Sequence, residues 1–280
     1  MRSASFLIDG RPTYGMLQDG RVFEADRELR SECPDLKSVL RAGRLGDLAP
    51  AGDAIPESSL RFLPPIPNPD KILCVGVNYR PHVIEMGRDI PERPVVFVRF
   101  PDSLVGHRES VLRPRISEQF DFEGELAIVI GREARYVAEA DALDHVAGYM
   151  PFLDGSVRDW QRHTTQFTPG KNFPASGAAG PALVTPDEAG APETIELVTR
   201  VSGDVMQEGR VADLIFDVPA LIAYCSSFTR LMPGDVIATG TPGGVGAARR
   251  PPRWLAAGDV VEVDLGLVGC LRNTVVVEGD

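Results

Sequence analysis

The chain has 280 residues and 30.3 kDa, with 29 Lys and Arg against 40 Asp and Glu, a formal charge of −11 and a pI near 4.9. That balance argues against a nucleic-acid binder, because affinity for phosphate backbones rests on clustered basic side chains. At 43% hydrophobic and 25% charged residues the composition is that of a globular protein with a sizeable core, not of a disordered chain.

Gly (28) and Pro (24) are abundant enough to predict many turns and loops and to exclude a helix bundle. Cys33, Cys74, Cys225 and Cys270 form no C-x-x-C pair, so neither a zinc ribbon nor a redox couple is indicated. No apolar stretch approaches the roughly 18 residues that would span a bilayer. The expectation is a reduced, cytoplasmic protein without membrane contact.

In chain order, residues 3–25 read as a β-hairpin turning at Asp19-Gly20. SECPDLKSVLRAG follows, with Leu36, Val39 and Leu40 at helical spacing and a stop at Gly43. Pro64, Pro65, Pro67 and Pro69 then exclude helix and strand alike. The division is a small α+β unit over 1–63, a linker over 64–70 and a strand-dominated α+β domain over 71–280. Its strands are KILCVGV, PVVFVRF, ELAIVIG, IELVTRVSG, DVIATG and DVVEVDL; short helices are expected at ALDHVAG and ADLIFDVPALIAYCSSF.

Chemistry concentrates in a few places. In DFEGELAIVIG, Glu123 and Glu125 share one face of a strand whose continuation, Leu126 to Ile130, is apolar on both faces, with Asp121 beside them if the strand reaches it. Paired carboxylates at the mouth of a buried strand repel each other, and a hard divalent cation, a shared proton or basic neighbours would offset that. In LDGSVRDWQ, Asp154, Arg158 and Gln161 stand at i, i+4 and i+7 of a helix begun by Asp154 or Ser156. His82 and Glu85 lie one helical turn apart, the spacing at which a carboxylate orients an imidazole. Lys171 follows Gly170, and Thr239, Gly240 and Thr241 form a glycine-rich turn whose N–H groups could cradle an anion. The dinucleotide, P-loop, H-E-x-x-H and G-x-S-x-G patterns are all missing.

Taken together and in order, NYRPHVIEM, PVVFVRFPDSLVG, DFEGELAIVIG, LDGSVRDWQ, GKNFP, VSGDVMQEGR, ATGTPGGVG and the closing GDVVEVDLGLVGCLRN resemble the fumarylacetoacetate hydrolase family from about Lys71 to Val276. The resemblance implies a mixed β-sandwich roll, usually a homodimer, with Mg²⁺ or Mn²⁺ on the carboxylates matching Glu123, Glu125 and Asp154. It implies a His–Glu pair at His82 and Glu85 on a segment that orders as a lid, and substrate-facing groups at Arg158, Gln161, Lys171 and Thr241 with Gly240. The substrate would be a small anionic 2-oxo acid.

The activity so implied is hydrolysis of a C–C bond in acylpyruvate-like 2,4-dioxo acids. His82 with Glu85 would activate a water, Lys171 and Gln161 would stabilise the oxyanion, Thr241 and its neighbours would hold the carboxylate, and a pyruvate enolate would leave from the metal. Arg158 would fix Asp154 or bind a substrate carboxylate. Decarboxylation of an oxaloacetate-like acid, or isomerisation or hydration of a 2-hydroxydienoate, uses the same metal site and stands as the alternative; a non-catalytic binding protein ranks below both. Two departures fall near the expected pocket: Arg99 where relatives often have Lys, and PASGAAGP after GKNF where relatives commonly have an Asp-Thr stretch. His107, His145 and His163 match no family role and read as surface or structural, His163 being the candidate exception.

Overall fold

The computed structural model describes residues 1–87 and 89–279. Among them the chain forms three sheets, of thirteen, five and two strands. Helices are short; Val218–Phe228, capped by the Asp217 carboxylate, is the one of eleven residues.

At the centre of the large sheet, Gly124–Ile130 lies antiparallel to Val146–Leu153, with Glu125 opposite Phe152 and Gly124 opposite Leu153. On the other side of Gly124–Ile130 runs Val236–Ala238, antiparallel to it and parallel to Ile72–Gly76, which is followed by the edge strand Val95–Arg99. Leu126, Ala127, Ile128, Val129 and Ile130 are all fully buried, as a strand covered on both faces requires. Leu126, Ile128 and Ile130 pack with Leu197, Leu221 and Ile222; Ala127 and Val129 face a second core holding Leu36, Val39, Leu40 and Phe97. At about 25 cal/mol per Å² of apolar area, each Leu or Ile buried there contributes roughly 1.5–3 kcal/mol. The site stands on this rigid double-sided layer.

The N-terminal segment differs from a single hairpin. Arg2–Ile8, Arg11–Gln18 and Arg21–Glu24 form a three-stranded meander with two D-G turns, Asp9-Gly10 and Asp19-Gly20, all four residues at positive φ. Both turns carry the residue pair that a two-residue hairpin loop of the primed type favours. Arg2 and Ser3 pair with Val184 and Leu183, so the meander extends the large sheet. Leu36–Arg41 is helical and starts on an Asp35/Ser38 capping box, while residues 63–70 form no helix or strand. The segment read as a helix at ALDHVAG is a 3₁₀ turn, Glu139–His145.

The five-stranded sheet orders Asp204–Arg210, Glu196–Val201, Val260–Asp264, Cys270–Val277 and Ser110–Arg113. With Phe120 and Phe122 it encloses a third core around Val201, Val261, Val263, Leu271 and Val275. No helix among the described residues is long and apolar enough to cross a membrane.

Candidate active site

Register brings the acidic residues level. Asp154 follows the last residue of Val146–Leu153, directly across from the start of Gly124–Ile130, and its N–H bonds to Glu123 O at 2.9 Å. One oxygen from each of Glu123, Glu125 and Asp154 lies within 4.8 Å of the others, and all three residues are buried. Glu123 stands just before the strand and Asp121 belongs to a separate short strand paired to Ser156–Val157, so the three acids do not share one continuous strand face.

Three buried cations clamp this group. Arg99 donates through Nη1 to Asp154 Oδ1 (2.6 Å) and Gly155 O (3.0 Å). Lys171 Nζ bridges Glu123 Oε2 and Asp154 Oδ2, both at 2.5 Å. Arg158 donates to Asp121 Oδ2 (2.8 Å), Glu123 Oε1 (2.6 Å) and Gln161 Oε1 (2.8 Å). Two expectations are thereby corrected. Asp154 begins no helix, since the turn Arg158–Gln161 starts after Val157, and Arg158 fixes Asp121 and Glu123 while Arg99 and Lys171 fix Asp154. The physical reason is the two-residue strand Ser156–Val157, which turns the chain so that Arg158 reaches past Asp154.

The two family departures meet at Arg99. Its Nη2 donates to Ser176 Oγ at 2.8 Å, in the middle of PASGAAGP, and a Cβ on Gly177 would stand 2.7 Å from Nη2. A guanidinium needs both the extra acceptor and the cleared space, so Arg99, Ser176 and Gly177 form one unit.

Around the cluster, Asp121, Glu123, Glu125 and Asp154 set four carboxylates against the three cations, leaving one negative charge in excess. That excess falls on Glu125, whose hydrogen-bond donor is the Gly240 N–H at 2.9 Å. Burial first, then the charges of Asp154 and Glu123, push its pKa well above the carboxylate range. For Glu123 burial works in the same upward direction, but Arg158, Lys171 and His82 outweigh it and hold the group well below that range. Lys171 stays cationic: burial lowers its pKa, and Asp154 and Glu123 raise it by more.

The turn Thr239–Thr241 is placed by the Val236–Ala238 strand. Gly240 sits at φ +106°, and a Cβ there would lie 2.9 Å from Asn78 Cβ, so the position demands glycine. Asn78 ties this turn to the segment of His82 by donating to Thr239 O (2.8 Å) and Phe216 O (3.0 Å). Gly240 N–H points at Glu125 and the Thr241 hydroxyl donates to Gly124 O (2.9 Å), so both of these donors are engaged within the protein. These two bonds complete backbone and carboxylate groups at the start of the Gly124 strand, which sequence spacing does not reveal.

His82 is buried at the start of a helical turn, Arg80–Glu85, and its Nδ1 lies 2.8 Å from Glu85 Oε1. Glu85 Oε2 accepts from Gly244 N–H at 2.8 Å, which anchors the dyad to the same glycine-rich loop. A carboxylate only accepts, so in neutral His82 the proton sits on Nδ1 and Nε2 is a free base. His82, Glu123, Glu125, Asp154, Arg158, Gln161, Lys171 and Thr241 all line one cavity of about 480 Å³. One part of its wall is apolar, from Val75, Val95, Phe97, Phe167 and Met86, with Lys171 Nζ 4.9 Å from the centre of the Phe97 ring. His107 and His145 lie outside it; His163 is exposed and rests on Trp160 at 4.7 Å.

The family model for the fumarylacetoacetate (FAA) hydrolase C-terminal region matches residues 71–276. The chain belongs to the fumarylacetoacetate hydrolase family. Among curated relatives, the mitochondrial oxaloacetate tautomerase fahd2 of Xenopus laevis is 42% identical over 221 residues, 78% of this chain and 69% of that protein. Among solved structures, a putative HpcE protein from Mycobacterium smegmatis superposes with a TM-score of 0.88 at 33% identity, covering 99% of this chain and 100% of the other. Maleylpyruvate hydrolase from Sphingobium sp. SYK-6, solved with manganese(II) and pyruvate, gives 0.79 at 27% identity over 99% of both chains. The named relatives are thus enzymes of more than one reaction class.

Proposed function

We propose that this protein is a divalent-metal-dependent enzyme that interconverts the keto and enol forms of a small 2-oxo acid, oxaloacetate foremost. The observation that carries the reading is a His82 base, oriented by Glu85, lining the same cavity as three converging carboxylates with one carboxylate in excess of the cations around them. The relatives named oxaloacetate tautomerases support the choice of substrate.

The residues fit a metal. Glu123, Glu125 and Asp154 offer an all-oxygen donor set of the kind that Mg²⁺ and Mn²⁺ both accept, and the excess charge at Glu125 calls for a cation. When bound there, the ion supplies Lewis acidity to the oxygens of the 2-oxo acid. The chain supplies the proton chemistry. His82 Nε2 takes a proton from the carbon next to the carbonyl, Glu85 stabilises the imidazolium that results, and return of that proton to the former carbonyl oxygen completes the enol and regenerates neutral His82. Lys171 and the Arg158–Gln161 pair hold the acidic groups in place while charge moves to the substrate oxygens. Phe97, Phe167 and Met86 keep bulk water from the reacting carbon.

Hydrolysis of acylpyruvate-like 2,4-dioxo acids is the second reading. The apolar side of the cavity, Val95, Phe97, Phe167 and Met86, is roomier than a four-carbon acid needs and would take an acyl substituent, with His82 activating water instead.

The test follows the enol absorbance of freshly dissolved oxaloacetate with and without Mn²⁺, alongside a lactate dehydrogenase assay for pyruvate and a parallel run on acetylpyruvate. Metal-dependent equilibration without pyruvate, lost in His82→Ala and Glu123→Gln, is expected. Pyruvate from oxaloacetate would make the enzyme a decarboxylase, and pyruvate from acetylpyruvate would install the second reading.

A further inference from the structure

Lys171 reaches the acids from a helical turn of four residues, Thr168–Lys171, and one turn has no stability of its own. Close packing pins one side of it: a Cβ on Gly170 would stand 2.4 Å from Gln161 N, so the turn lies flush against Arg158–Gln161. The turn also neighbours the edge strand Val95–Arg99, yet no backbone hydrogen bond joins the two among the described residues. The link is the side chain of Asn172. Its Oδ1 accepts from Phe100 N–H at 2.6 Å, and its Nδ2 donates to Val98 O and to Thr168 O, each at 3.0 Å. The amide bonds the open strand edge as a neighbouring strand would, and ties it to the first residue of the turn.

The groups that Asn172 joins are the neighbours of two cations of the cluster. Val98 and Phe100 flank Arg99, and Asn172 itself follows Lys171. Those cations grip the two oxygens of one carboxylate, Arg99 on Asp154 Oδ1 at 2.6 Å and Lys171 on Asp154 Oδ2 at 2.5 Å. Phe97, two residues before Arg99 on the same strand, sets its ring 4.9 Å from the Lys171 ammonium. Because Lys171 is 1% exposed, its stem has no room to make up for a shift of the turn that carries it. We propose that Asn172 is a positioning residue, which holds Lys171 in register with Arg99 so that Asp154 keeps a single orientation among the acids of the site. The side chain can do this in one sense only. Phe100 N–H must donate and the two carbonyls must accept, so both amide protons and the amide oxygen are committed and the group cannot flip.

A double-mutant cycle tests the coupling without turnover. Asn172→Ala and Lys171→Met are made singly and together in the full-length protein, and unfolding midpoints are read in EDTA. Asn172→Ala should lower the wild-type midpoint by about 4 °C and that of Lys171→Met by about 2 °C or less, because the ammonium it holds is gone there. Equal losses in both backgrounds would make Asn172 a brace between turn and strand and overturn the proposal. Asn172→Asp keeps the volume and the acceptor for Phe100 N–H but sets a carboxylate oxygen against two carbonyls, and should lose as much as Asn172→Ala; a wild-type midpoint in that variant would overturn it equally. The effect on the reaction rests on the tautomerase reading and falls on kcat. With Mn²⁺, Asn172→Ala should lower kcat for oxaloacetate about tenfold with KM within about twofold, and should cause no further fall when added to Lys171→Met. A raised KM at unchanged kcat would remove Asn172 from the positioning of the site. A protein that equilibrates no oxaloacetate yet shows the coupled midpoints would overturn the tautomerase reading alone.

Discussion

Replacing Lys171 by Met separates the electrostatic role of the ammonium from the volume of its side chain. Lys171 is 1% exposed, and its Nζ contacts one oxygen each of Glu123 and Asp154 at 2.5 Å. Methionine fills nearly the same space, so the perturbation is the loss of one buried positive charge from a cluster that, without metal, is balanced only by the proton on Glu125. Breaking a buried ion pair by removing one partner costs about 3–5 kcal/mol. With an unfolding entropy of about 2.1 cal/mol/K per residue, a chain of this length unfolds with about 0.6 kcal/mol/K, so the midpoint should fall by about 5–8 °C in EDTA. A divalent cation bound among the same carboxylates supplies the missing charge. If it recovers about half of the cost, some 2 kcal/mol, thermodynamic linkage requires the variant to bind metal about 30-fold more tightly than wild type. Turnover should nevertheless drop by at least about 100-fold, since a preorganised cation is lost from the reacting site. Scanning fluorimetry in EDTA and in Mn²⁺, with calorimetric metal titration, measures each quantity. An equal loss of midpoint with and without metal, at unchanged metal affinity, would refute the account of the cluster as a charge-deficient metal seat.

The two strand-start glutamates should behave oppositely. Burial, followed by the charges of Asp154 and Glu123, favours the protonated form of Glu125. Glu125→Gln should therefore leave the EDTA midpoint within about 2 °C of wild type while metal affinity falls by about 100-fold or more; Glu123→Gln, which deprives Arg158 and Lys171 of a shared partner, should cost about 3 kcal/mol in the same buffer. Because metal must displace the Glu125 proton, apparent affinity should rise with pH, by up to about tenfold per unit while that group remains protonated, and calorimetry in buffers of different ionisation enthalpy should register the released proton. Far from the site, His107 is buried against Phe62, accepts the Arg272 N–H at 3.1 Å, and has its pKa lowered from 6.5 to about 4, chiefly by burial and then by Arg108 and Arg272. The unfolded chain thus binds a proton that the folded one refuses between these values, so stability is lost as pH falls from about 6.5 to about 4. Its share is about 3 kcal/mol, which urea denaturation of His107→Asn, a non-titrating acceptor, should not show.

What the sequence discloses and what it hides divide along physical lines. The double-sided burial of Leu126 to Ile130, the helix at Leu36–Arg41 and the Pro-rich break are local patterns, and each is found where the pattern puts it. The acidic triad is legible because register carries Asp154 to the start of the neighbouring strand, and the family motifs preserve that order. The ion pairing is not legible. Arg158 stands four residues from Asp154, a spacing that suggests a helical pair, but the strand pairing Asp121 with Ser156 breaks the helix and sends Arg158 elsewhere. Arg99 reads as a departure from the family, and only the fold shows it answering another departure through Ser176 and the clearance at Gly177. Gln207 gives no signal within its own segment, since its partners Gly124 and Thr241 lie 83 and 34 positions away in the chain.

The charge inventory also accounts for how one fold can keep a metal seat and still assemble before metal arrives. A triad of free carboxylates buried at a strand mouth would be prohibitively repulsive, and burial of charge is tolerated only with close partners and completed hydrogen bonds. Here each of Asp121, Glu123 and Asp154 has a guanidinium or ammonium in direct contact, drawn from three separate segments, so the acids have close partners without an ion. Glu125 alone among the four lacks a cationic partner and retains only the Gly240 N–H. Protonation there neutralises the excess in the metal-free protein, and a divalent cation replaces that proton when it binds. The imbalance is confined to one carboxylate on the fully buried Gly124–Ile130 strand, lining the same cavity as His82 and Thr241. Filling the imbalance with a fourth protein cation would stabilise the fold and close the metal seat, which is why Lys171, Arg99 and Arg158 stop one charge short.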